Sequence, residues 1–222
     1  MRRGPRTKAE EAARARLKER LVANPELARK LLQAKREQER EKTPLYRMQT
    51  APETFLFDRQ VAVLKSPDRR RAILTSRRAG KTTLLAYFLI QKVLENPGLN
   101  IPYVCMTREA GRNILWPVVF EMCERLGVTV RGNSNSGDLS FPETRNRILV
   151  RGLDNDSQLN KLRGNKFPGA VIDEAQHLGG DLSGFIDDVL EPALIDLGGE
   201  ILLCGTPGEL PVGPFYEITE AG

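Results

Sequence analysis

The chain has 222 residues, of which 40% are hydrophobic and 28% are charged, and its formal net charge is +5. This length and apolar content fit one globular domain of ordinary size with a sizeable core, plus an appendage. No apolar run approaches the length of a membrane span and the N-terminus lacks the apolar core of a signal peptide, so we expect a soluble, intracellular protein with no membrane partner.

The positive charge lies in the N-terminal segment. Residues 1–42 carry 14 Lys and Arg against 7 Glu, whereas the remaining 180 residues carry 20 against 22 acidic residues. The segment is rich in helix formers, Asn24-Pro25 predicts a break between two helices, and Thr43–Glu53 is predicted to be a linker. Its few leucines form a stripe too narrow for an independent core, so it either binds an acidic partner or is a solvated charged helix. We predict a basic helical extension with a linker over residues 1–50 and one folded domain over residues 51–222.

The central motif is the loop Thr75–Thr83, which follows a predicted buried strand, Ala72–Thr75, and precedes a predicted apolar helix, Leu84–Leu94. A strand, a tight loop and Gly-Lys-Thr at a helix start form a phosphate-binding P-loop, in which backbone N–H groups and the helix dipole attract an anion. Lys81 then reaches the β- and γ-phosphates of ATP, and the Thr82 hydroxyl is a ligand of Mg²⁺. Thr75 stands where such loops usually have their first glycine. The loop residues predicted to bind the nucleotide are Ser76, Arg77, Arg78, Ala79, Gly80, Lys81, Thr82 and Thr83.

The rest of the chain alternates between helical and strand patterns. Upstream of the loop, a short helix is predicted at Phe55–Leu64 and a solvated strand entrance at Arg69–Arg71. Downstream, the predicted elements are the strand Ile101–Met106, the helix Glu109–Leu126, strands within the β-rich segment Val128–Leu153, the polar loop Asp154–Phe167, the strand Gly169–Asp173, the helix Leu182–Leu190 and the strand Glu200–Cys204. Apolar strands alternating with helices predict an α/β fold with a mostly parallel sheet, helices on both faces and a β-hairpin excursion. Together with the phosphate loop, this arrangement resembles the P-loop NTPase type (ASCE, RecA-like).

Two acidic residues and a Gly-Thr turn follow other strands of the predicted sheet. Asp173 and Glu174 come directly after Ala170-Val-Ile172, which is a Walker B pattern. Asp173 can hold Mg²⁺ opposite Thr82, and Glu174 can orient and deprotonate the attacking water. The alternative is structural, with the acid pair capping the next helix. Gly205-Thr206 follows the last strand, where Thr206 can sense the γ-phosphate. Because parallel strands end at one edge of the sheet, we expect these groups to converge.

Hydrolysis of ATP also needs positive charge on the γ-phosphate as the transition state forms. Arg77 and Arg78 lie in the phosphate loop and can act within their own site. Arg163 lies ten residues before Asp173, and it can reach the site of its own subunit or of a neighbour, unless it is simply a solvated loop residue. Gln60 lies where its amide can read the adenine edge, although a plain packing role fits that segment equally well.

These motifs resemble one family. Ser76-Arg-Arg-Ala-Gly-Lys-Thr-Thr83, with no leading glycine, resembles the Walker A variant of large terminase subunits, the genome-packaging motors of tailed phages. Leu162-Arg-Gly164 before Val171-Ile-Asp-Glu-Ala175 is similar to the same family, as is Gly205-Thr-Pro207 followed by Phe215-Tyr216. The resemblance runs from Phe55 to Tyr216.

The resemblance implies roles for individual residues. Arg77 is then the P-loop arginine near the γ-phosphate, and Arg163 is the finger offered across a ring interface. Gln60 belongs to the adenine motif, and Gly205 with Thr206 forms the coupling motif.

The resemblance also implies a function: an ATP-hydrolysing, Mg²⁺-dependent motor domain that drives double-stranded DNA into a procapsid in the host cytoplasm. Such motors form a homo-oligomeric ring, a pentamer in this family, with a portal protein and a small terminase subunit as partners, and their β excursion faces DNA. Large terminases continue into an RNase H-like nuclease. This chain stops at Gly222, so no nuclease activity is expected from it.

Two alternatives remain open. Asp173-Glu-Ala-Gln176 resembles the Walker B motif of one helicase superfamily, but such helicases need a second motor lobe for which no residues remain. The other alternative is a nucleotide-gated DNA-binding or scaffold protein that hydrolyses ATP poorly. The presence of Lys81, Thr82 and both acids argues against it.

Overall fold

The computed structural model describes residues 24–154, 156–177, 182–207 and 214–220. The chain divides into two compact units, Met1–Arg47 and Met48–Gly222. In the first unit, helix α1 spans Pro25–Glu41, and the Asn24 side chain caps it by accepting a hydrogen bond from Leu27 N at 3.0 Å. Asn24-Pro25 therefore begins a helix, as expected of an N-cap followed by proline. The other helix predicted before it lies outside the described residues.

The segment predicted to be a linker contains a helix, α2, at Pro44–Thr50. The prediction was wrong because Pro44 occupies the start of a helix, where proline is tolerated, rather than breaking one. The Thr43 hydroxyl accepts a hydrogen bond from Tyr46 N at 3.2 Å and so caps this helix. In the second unit, Met48 is fully buried and its carbonyl accepts a hydrogen bond from the Tyr87 hydroxyl.

The second unit alternates between strands and helices, as predicted. Its further elements are α3 (Asp58–Lys65), β1 (Arg70–Leu74), α4 (Lys81–Glu95), β2 (Ile101–Cys105), α5 (Arg108–Leu126), β3 (Arg131–Gly132), β4 (Leu139–Phe141), β5 (Asn146–Gly152), α6 (Asp156–Asn160), β6 (Gly169–Ile172), α7 (Leu182–Phe185), α8 (Glu191–Leu194), β7 (Glu200–Gly205) and α9 (Pro214–Glu220). A short π-helix at Ile186–Leu190 joins α7 to α8. The helix predicted at Leu182–Leu190 therefore continues beyond Leu190.

Within the described residues, seven strands form one sheet in the order β1-β7-β6-β2-β5-β4-β3. The first five strands of that order are parallel, which confirms the mostly parallel sheet of the prediction, and β4 and β3 add antiparallel strands at one edge. Because β5 pairs with β2, the β-rich segment extends the main sheet instead of leaving it. Val128 and Val130 pack on the core, and the ladder of β3 begins only at Arg131.

The core consists of two apolar clusters, one on each face of the sheet. Alternate residues along the strands divide between them: Tyr103 and Val171 belong to one cluster, whereas Val104 and Ile172 belong to the other. Helices α4 and α5 pack on the first face, and α6 to α9 on the second. No helix in the described ranges is long and apolar enough to cross a membrane.

Two sequence predictions fail because distant residues cover the segments concerned. The segment Asp154–Phe167 is not a simple polar loop, since it includes α6 and its residues Leu159 and Leu162 are buried in the second cluster. Arg71, predicted to be solvated, is 6% exposed and forms an ion pair with Glu200 of β7.

The neighbours of Arg71 are also engaged at this amino end of β1. Arg70 Nε donates to Glu191 Oε1 at 2.6 Å, and Arg69 Nη2 donates to the Gly199 carbonyl at 3.0 Å. Burial lowers the pKa of the Arg71 guanidinium, while the charge of Asp68 opposes that shift. These arginines therefore connect the start of β1 to α8, to Gly199 and to β7.

Candidate active site

The predicted phosphate loop connects β1, which ends at Leu74, with α4, which begins at Lys81. Gly80 has φ +75°, a left-handed conformation that favours glycine, and a Cβ there would lie 2.8 Å from Gln60 Nε2. Arg78 also has a positive φ, at +64°. A left-handed residue directly before the helix turns the chain so that the loop encloses the N-terminus of α4, where unpaired N–H groups can receive an anion.

Lys81 lies at the mouth of this loop and contacts neutral oxygens. Its Nζ atom is 3.0 Å from Thr206 Oγ1, 3.2 Å from the Ser76 carbonyl and 3.4 Å from the Thr75 carbonyl. Among the described residues, Lys81 has no carboxylate within ion-pair distance. Its positive charge is thus held in place by dipoles, which leaves it available to an anionic ligand.

Asp173 lies directly after β6 and is 6% exposed. Tyr103 of the neighbouring strand β2 donates its hydroxyl to Asp173 Oδ2 at 2.6 Å, and the backbone N–H of Glu174 donates to Oδ1 at 3.0 Å. Burial raises the pKa of the Asp173 carboxyl, whereas the hydrogen bond from Tyr103 opposes this shift. Tyr103 was not among the site residues predicted from the sequence, although its hydroxyl is the only strongly polar side-chain group in the apolar strand β2.

Glu174 is linked to the Gly205-Thr206 turn through Gln176, which was not among the site residues predicted from the sequence. Glu174 has φ +54° and is half-buried. Gln176 Nε2 donates to Glu174 Oε2, and Gln176 Oε1 accepts a hydrogen bond from Thr206 N at 3.2 Å. The predicted group of Lys81, Asp173, Glu174 and Thr206 is therefore brought together at the carboxyl edge of the sheet.

The pair Thr82 and Asp173 has the donor chemistry of a magnesium site. The Thr82 hydroxyl is half-buried and makes no hydrogen bond within the described residues, and Asp173 offers a fixed carboxylate. The described part of the chain contains no group of three or more His, Cys, Asp or Glu side chains that could hold a metal ion. Mg²⁺ commonly takes only one or two protein ligands and completes its shell with water and substrate phosphates, so this sparse donor set fits it.

Gln60 lies beside the loop, but its amide is already engaged. Its Oε1 atom accepts a hydrogen bond from Phe57 N at 3.0 Å, and its Nε2 atom donates to the Gly80 carbonyl at 2.9 Å. A cavity of about 700 Å³ opens here between α3, the end of β1 and the loop. Phe57 lines this cavity and is 73% exposed, so an aromatic face is available beside the phosphate loop.

The candidate arginines differ in their surroundings. Arg77 and Arg78 are exposed, and neither side chain has a hydrogen bond or ion pair within the described part of the chain. Arg163 is exposed as well, but its Nε donates to Asn160 Oδ1 at 3.2 Å and its Nη1 to the Asp188 carbonyl at 3.0 Å. Within the described residues, no hydrogen bond or ion pair joins Arg163 to the phosphate loop or to the acidic pair of its own chain.

A second cavity, of about 590 Å³, opens at the carboxyl ends of β2 and β5. It is polar, and its lining includes Arg108 and Arg112 from the first turns of α5, together with Glu109 and Asp154. Its lining contains no residue of the phosphate loop. This edge of the sheet therefore carries two separate cavities, one beside the phosphate loop and one lined by Arg108 and Arg112.

Comparison with known proteins matches the segment that contains these residues. The family model "Terminase large subunit, T4likevirus-type, N-terminal" matches residues 72–183, just over half of the 222 residues. No curated protein matches the chain.

Among solved structures, the chain is similar to the Thermus phage P74-26 large terminase ATPase domain, with 21% identity, a TM-score of 0.56, and coverage of 70% of this chain and 66% of that one. It is also similar to a large terminase from another phage, described as a thermophilic bacteriophage, with 19% identity, a TM-score of 0.57, and coverage of 68% and 39%. A structure of that second terminase in complex with ATP-γ-S matches with 18% identity, a TM-score of 0.53, and coverage of 67% and 37%. At this identity the likeness shows a shared fold. The chain spans less than two thirds of the first relative and about two fifths of the second.

Proposed function

The chain belongs to the terminase large subunit family, in its N-terminal part, and from this premise we propose that it is the ATP-hydrolysing motor domain of a viral DNA-packaging terminase. The observation that carries the proposal is the convergence of Lys81, Asp173, Glu174 and Thr206 at one edge of the sheet. We assign the motor domain to residues 51–222 and regard residues 1–50 as a basic helical extension.

The phosphates of ATP bind at the N-terminus of α4. Lys81 exchanges its contacts with neutral carbonyl and hydroxyl oxygens for phosphate oxygens, which carry full charge and form stronger hydrogen bonds. Ser76 to Gly80 surround the phosphates with backbone N–H groups, followed by those of Thr82 and Thr83. The similar phage terminase structure in complex with ATP-γ-S supports nucleotide binding by this fold.

The adenosine occupies the cavity beside the loop. Phe57 offers an exposed aromatic face to the base. Gln60 retains one amide hydrogen and one lone pair after its two protein hydrogen bonds, which are enough to contact the edge of adenine. Because the same amide binds the Gly80 carbonyl, Gln60 also supports the loop from outside.

Water attack on the γ-phosphate is assigned to Glu174, which accepts the proton of the water. Thr82 and Asp173 are the residues that would hold Mg²⁺, and the ion would supply positive charge against the phosphates. Tyr103 fixes the Asp173 carboxylate by its hydrogen bond of 2.6 Å. Thr206, in contact with Lys81, detects whether the γ-phosphate is present.

Positive charge on the transition state comes from two sources. Arg77 and Arg78 lie on the loop with no competing carboxylate in the described structure, so they act within their own site. Arg163 is exposed and makes no contact with that site among the described residues, which fits a finger delivered to a neighbouring subunit of a ring. By family resemblance that ring is a pentamer.

Hydrolysis drives the movement of double-stranded DNA into a procapsid in the host cytoplasm, together with a portal protein and a small terminase subunit. The cavity that carries Arg108 and Arg112 lies beside the β-rich part of the sheet, which by family resemblance faces DNA. Guanidinium groups at a helix N-terminus can bind DNA phosphates without reading sequence.

The proposal is tested by measuring ATP hydrolysis alone, with double-stranded DNA and with single-stranded DNA. We expect hydrolysis that is stimulated by double-stranded DNA. Preference for single strands would favour a helicase-like ATPase, and the absence of hydrolysis despite ATP binding would favour a nucleotide-gated scaffold. Double substitution of Arg108 and Arg112 by alanine is expected to weaken stimulation while leaving the DNA-free rate unchanged.

A further inference from the structure

The side-chain amide of Gln176 connects the candidate base, Glu174, with Thr206 beside the phosphate loop. Gln176 lies two residues after Glu174, in the tight turn that follows β6, and its Nε2 atom donates to Glu174 Oε2. Its Oε1 atom accepts from the backbone N–H of Thr206 at 3.2 Å. The side chain therefore spans the gap between the ends of β6 and β7, two neighbouring strands.

Thr206 continues this connection to the phosphate loop. Its hydroxyl oxygen lies 3.0 Å from Lys81 Nζ, while its N–H is bound by Gln176. Lys81, Thr206, Gln176 and Glu174 thus form one continuous series of hydrogen bonds. A phosphate at the loop competes for the Lys81 ammonium, so ligand binding acts directly on the first bond of the series.

The backbone around Gln176 is shaped to admit its side chain. A Cβ at Gly205 would lie 2.5 Å from Gln176 Oε1 and 2.4 Å from Phe215 Cε1, so a residue with a side chain would displace the amide. Glu174 has φ +54°, a conformation that costs free energy for a residue other than glycine. Gly205 thus leaves room for the Gln176 amide as well as for the Phe215 ring, and the left-handed backbone conformation lies at the residue whose carboxylate the amide contacts.

We propose that Gln176 is a positioning residue that makes the orientation of the Glu174 carboxylate depend on the contact between Lys81 and Thr206. This inference rests on the proposed function, because it assumes ATP at the loop and Glu174 as the base. When the γ-phosphate draws Lys81 away from the Thr206 hydroxyl, Thr206 relaxes and Gln176 transmits the change to Glu174. Gln176 acts only through Glu174 and is assigned no contact with ATP or the attacking water.

A double-mutant cycle tests this series. Gln176→Leu removes both amide hydrogen bonds at nearly constant volume, and Thr206→Val removes the hydroxyl at nearly constant shape. Affinity for a fluorescent ATP analogue and the single-turnover rate of hydrolysis are measured for both single variants, the double variant and the wild type. Each single variant is expected to bind the analogue normally and to hydrolyse ATP about tenfold more slowly, and the double variant to be no slower than the slower single one.

Multiplying effects, about 100-fold in the double variant, would show that the two residues act independently and would overturn the inference. A wild-type rate in Gln176→Leu would overturn it as well. If the leucine variant does not fold, Gln176→Glu decides, because it keeps the acceptor for Thr206 N–H but loses the donor to Glu174. The glutamate variant is expected to be slow, and a wild-type rate would contradict the inference. Inactive wild-type protein would instead refute the proposed function, and the inference with it.

Discussion

The two ends of strand β1 carry similar charges in opposite surroundings. At the amino end, Arg70 and Arg71 are paired with Glu191 and Glu200. At the carboxyl end, Arg77, Arg78 and Lys81 have no carboxylate partner within the described residues. The first group is neutralised by the protein and joins its elements together. The second group forms no ion pair among the described residues, so its positive charge at a helix N-terminus remains available to an anion.

The role of a basic cluster therefore cannot be interpreted from its own residues alone. Arg69–Arg71 and Arg77-Arg78 look alike in the sequence, and both lie beside β1. What separates them is ion pairing: Glu191 and Glu200, more than a hundred residues further along the chain, pair with Arg70 and Arg71, whereas no carboxylate pairs with Arg77 or Arg78 within the described residues.

The largest expected effect concerns Arg163, a basic residue that belongs to neither end of β1. Arg163→Ala is expected to bind ATP but to lose about 10³–10⁵ in turnover, because an arginine finger stabilises the transition state in a neighbouring subunit. Wild-type activity per subunit should rise steeply with protein concentration. Turnover is measured by phosphate release over a concentration series.

Mixing experiments distinguish a finger delivered in trans from one that acts in cis. Excess Glu174→Gln protein supplies an intact Arg163 and should restore some turnover to Arg163→Ala subunits. Arg77→Ala should show no such rescue, since that residue acts within its own site. Activity per subunit that stays flat with concentration, together with no rescue, would leave Arg77 as the main finger.

Two lysines on the same helix test the contrast between the two ends of β1. Lys81 and Lys92 both lie in α4, near opposite ends of β1, and Lys92 is largely buried and paired with Glu95 and Glu200. Lys81→Ala is expected to reduce kcat/KM by about 10²–10³ with an unchanged melting temperature, because a phosphate contact is lost. Lys92→Met is expected to lower the melting temperature but to leave the turnover of folded protein unchanged. Exchange of these two outcomes would contradict the account.

Arg71 gives the corresponding test of stability. Arg71→Ala removes one of the two cations that pair with Glu200, the other being Lys92, and removes hydrogen bonds to two carbonyls in the last turn of α3. We expect the free energy of unfolding to fall by about 2–3 kcal/mol in urea, less than for a buried carboxylate with no partner, because Lys92 still pairs with Glu200. Arg69→Ala, at a more exposed side chain, serves as the control and should cost well under half as much. Equal losses for both variants would mean that the ion pair with Glu200 is not what stabilises this end.

The smallest expected effect is that of deleting residues 1–42. Helix α1 has no buried residue, so the truncated chain should keep its free energy of unfolding to within about 0.5 kcal/mol. Binding to DNA is expected to weaken most at low salt, because basic residues act through counterion release. Affinity measured over a salt series checks this. An unfolded truncation product would show that the segment is part of the core.

Local motifs were predictable from the sequence because each depends on adjacent residues. Gly80 and Lys81 follow a strand and open a helix, and Asp173 follows a run of buried apolar residues, so chain order alone locates them. The parallel sheet was equally predictable, since apolar strands alternate with helices.

What could not be predicted depends on pairing between distant strands. Tyr103 meets Asp173 only because β2 lies beside β6, and Gln176 meets Thr206 only because β6 lies beside β7. The helix α2 was missed because proline was interpreted as a break, although it suits the first turn of a helix. The burial of Arg71 was not predicted because its partner, Glu200, is remote in sequence.

The central claim is that the carboxyl end of β1 carries an ATP-hydrolysing site. Its most direct test is to measure the binding and the fate of ATP in Glu174→Gln. This substitution keeps the shape of the side chain and leaves Lys81 and the loop unchanged, but removes the carboxylate assigned as the base. Radiolabelled ATP is incubated with the variant and Mg²⁺, and the bound nucleotide is counted and identified after filtration. The account predicts one intact ATP per chain and turnover reduced by at least about 10². Failure to bind ATP, or turnover near that of the wild type, would contradict it.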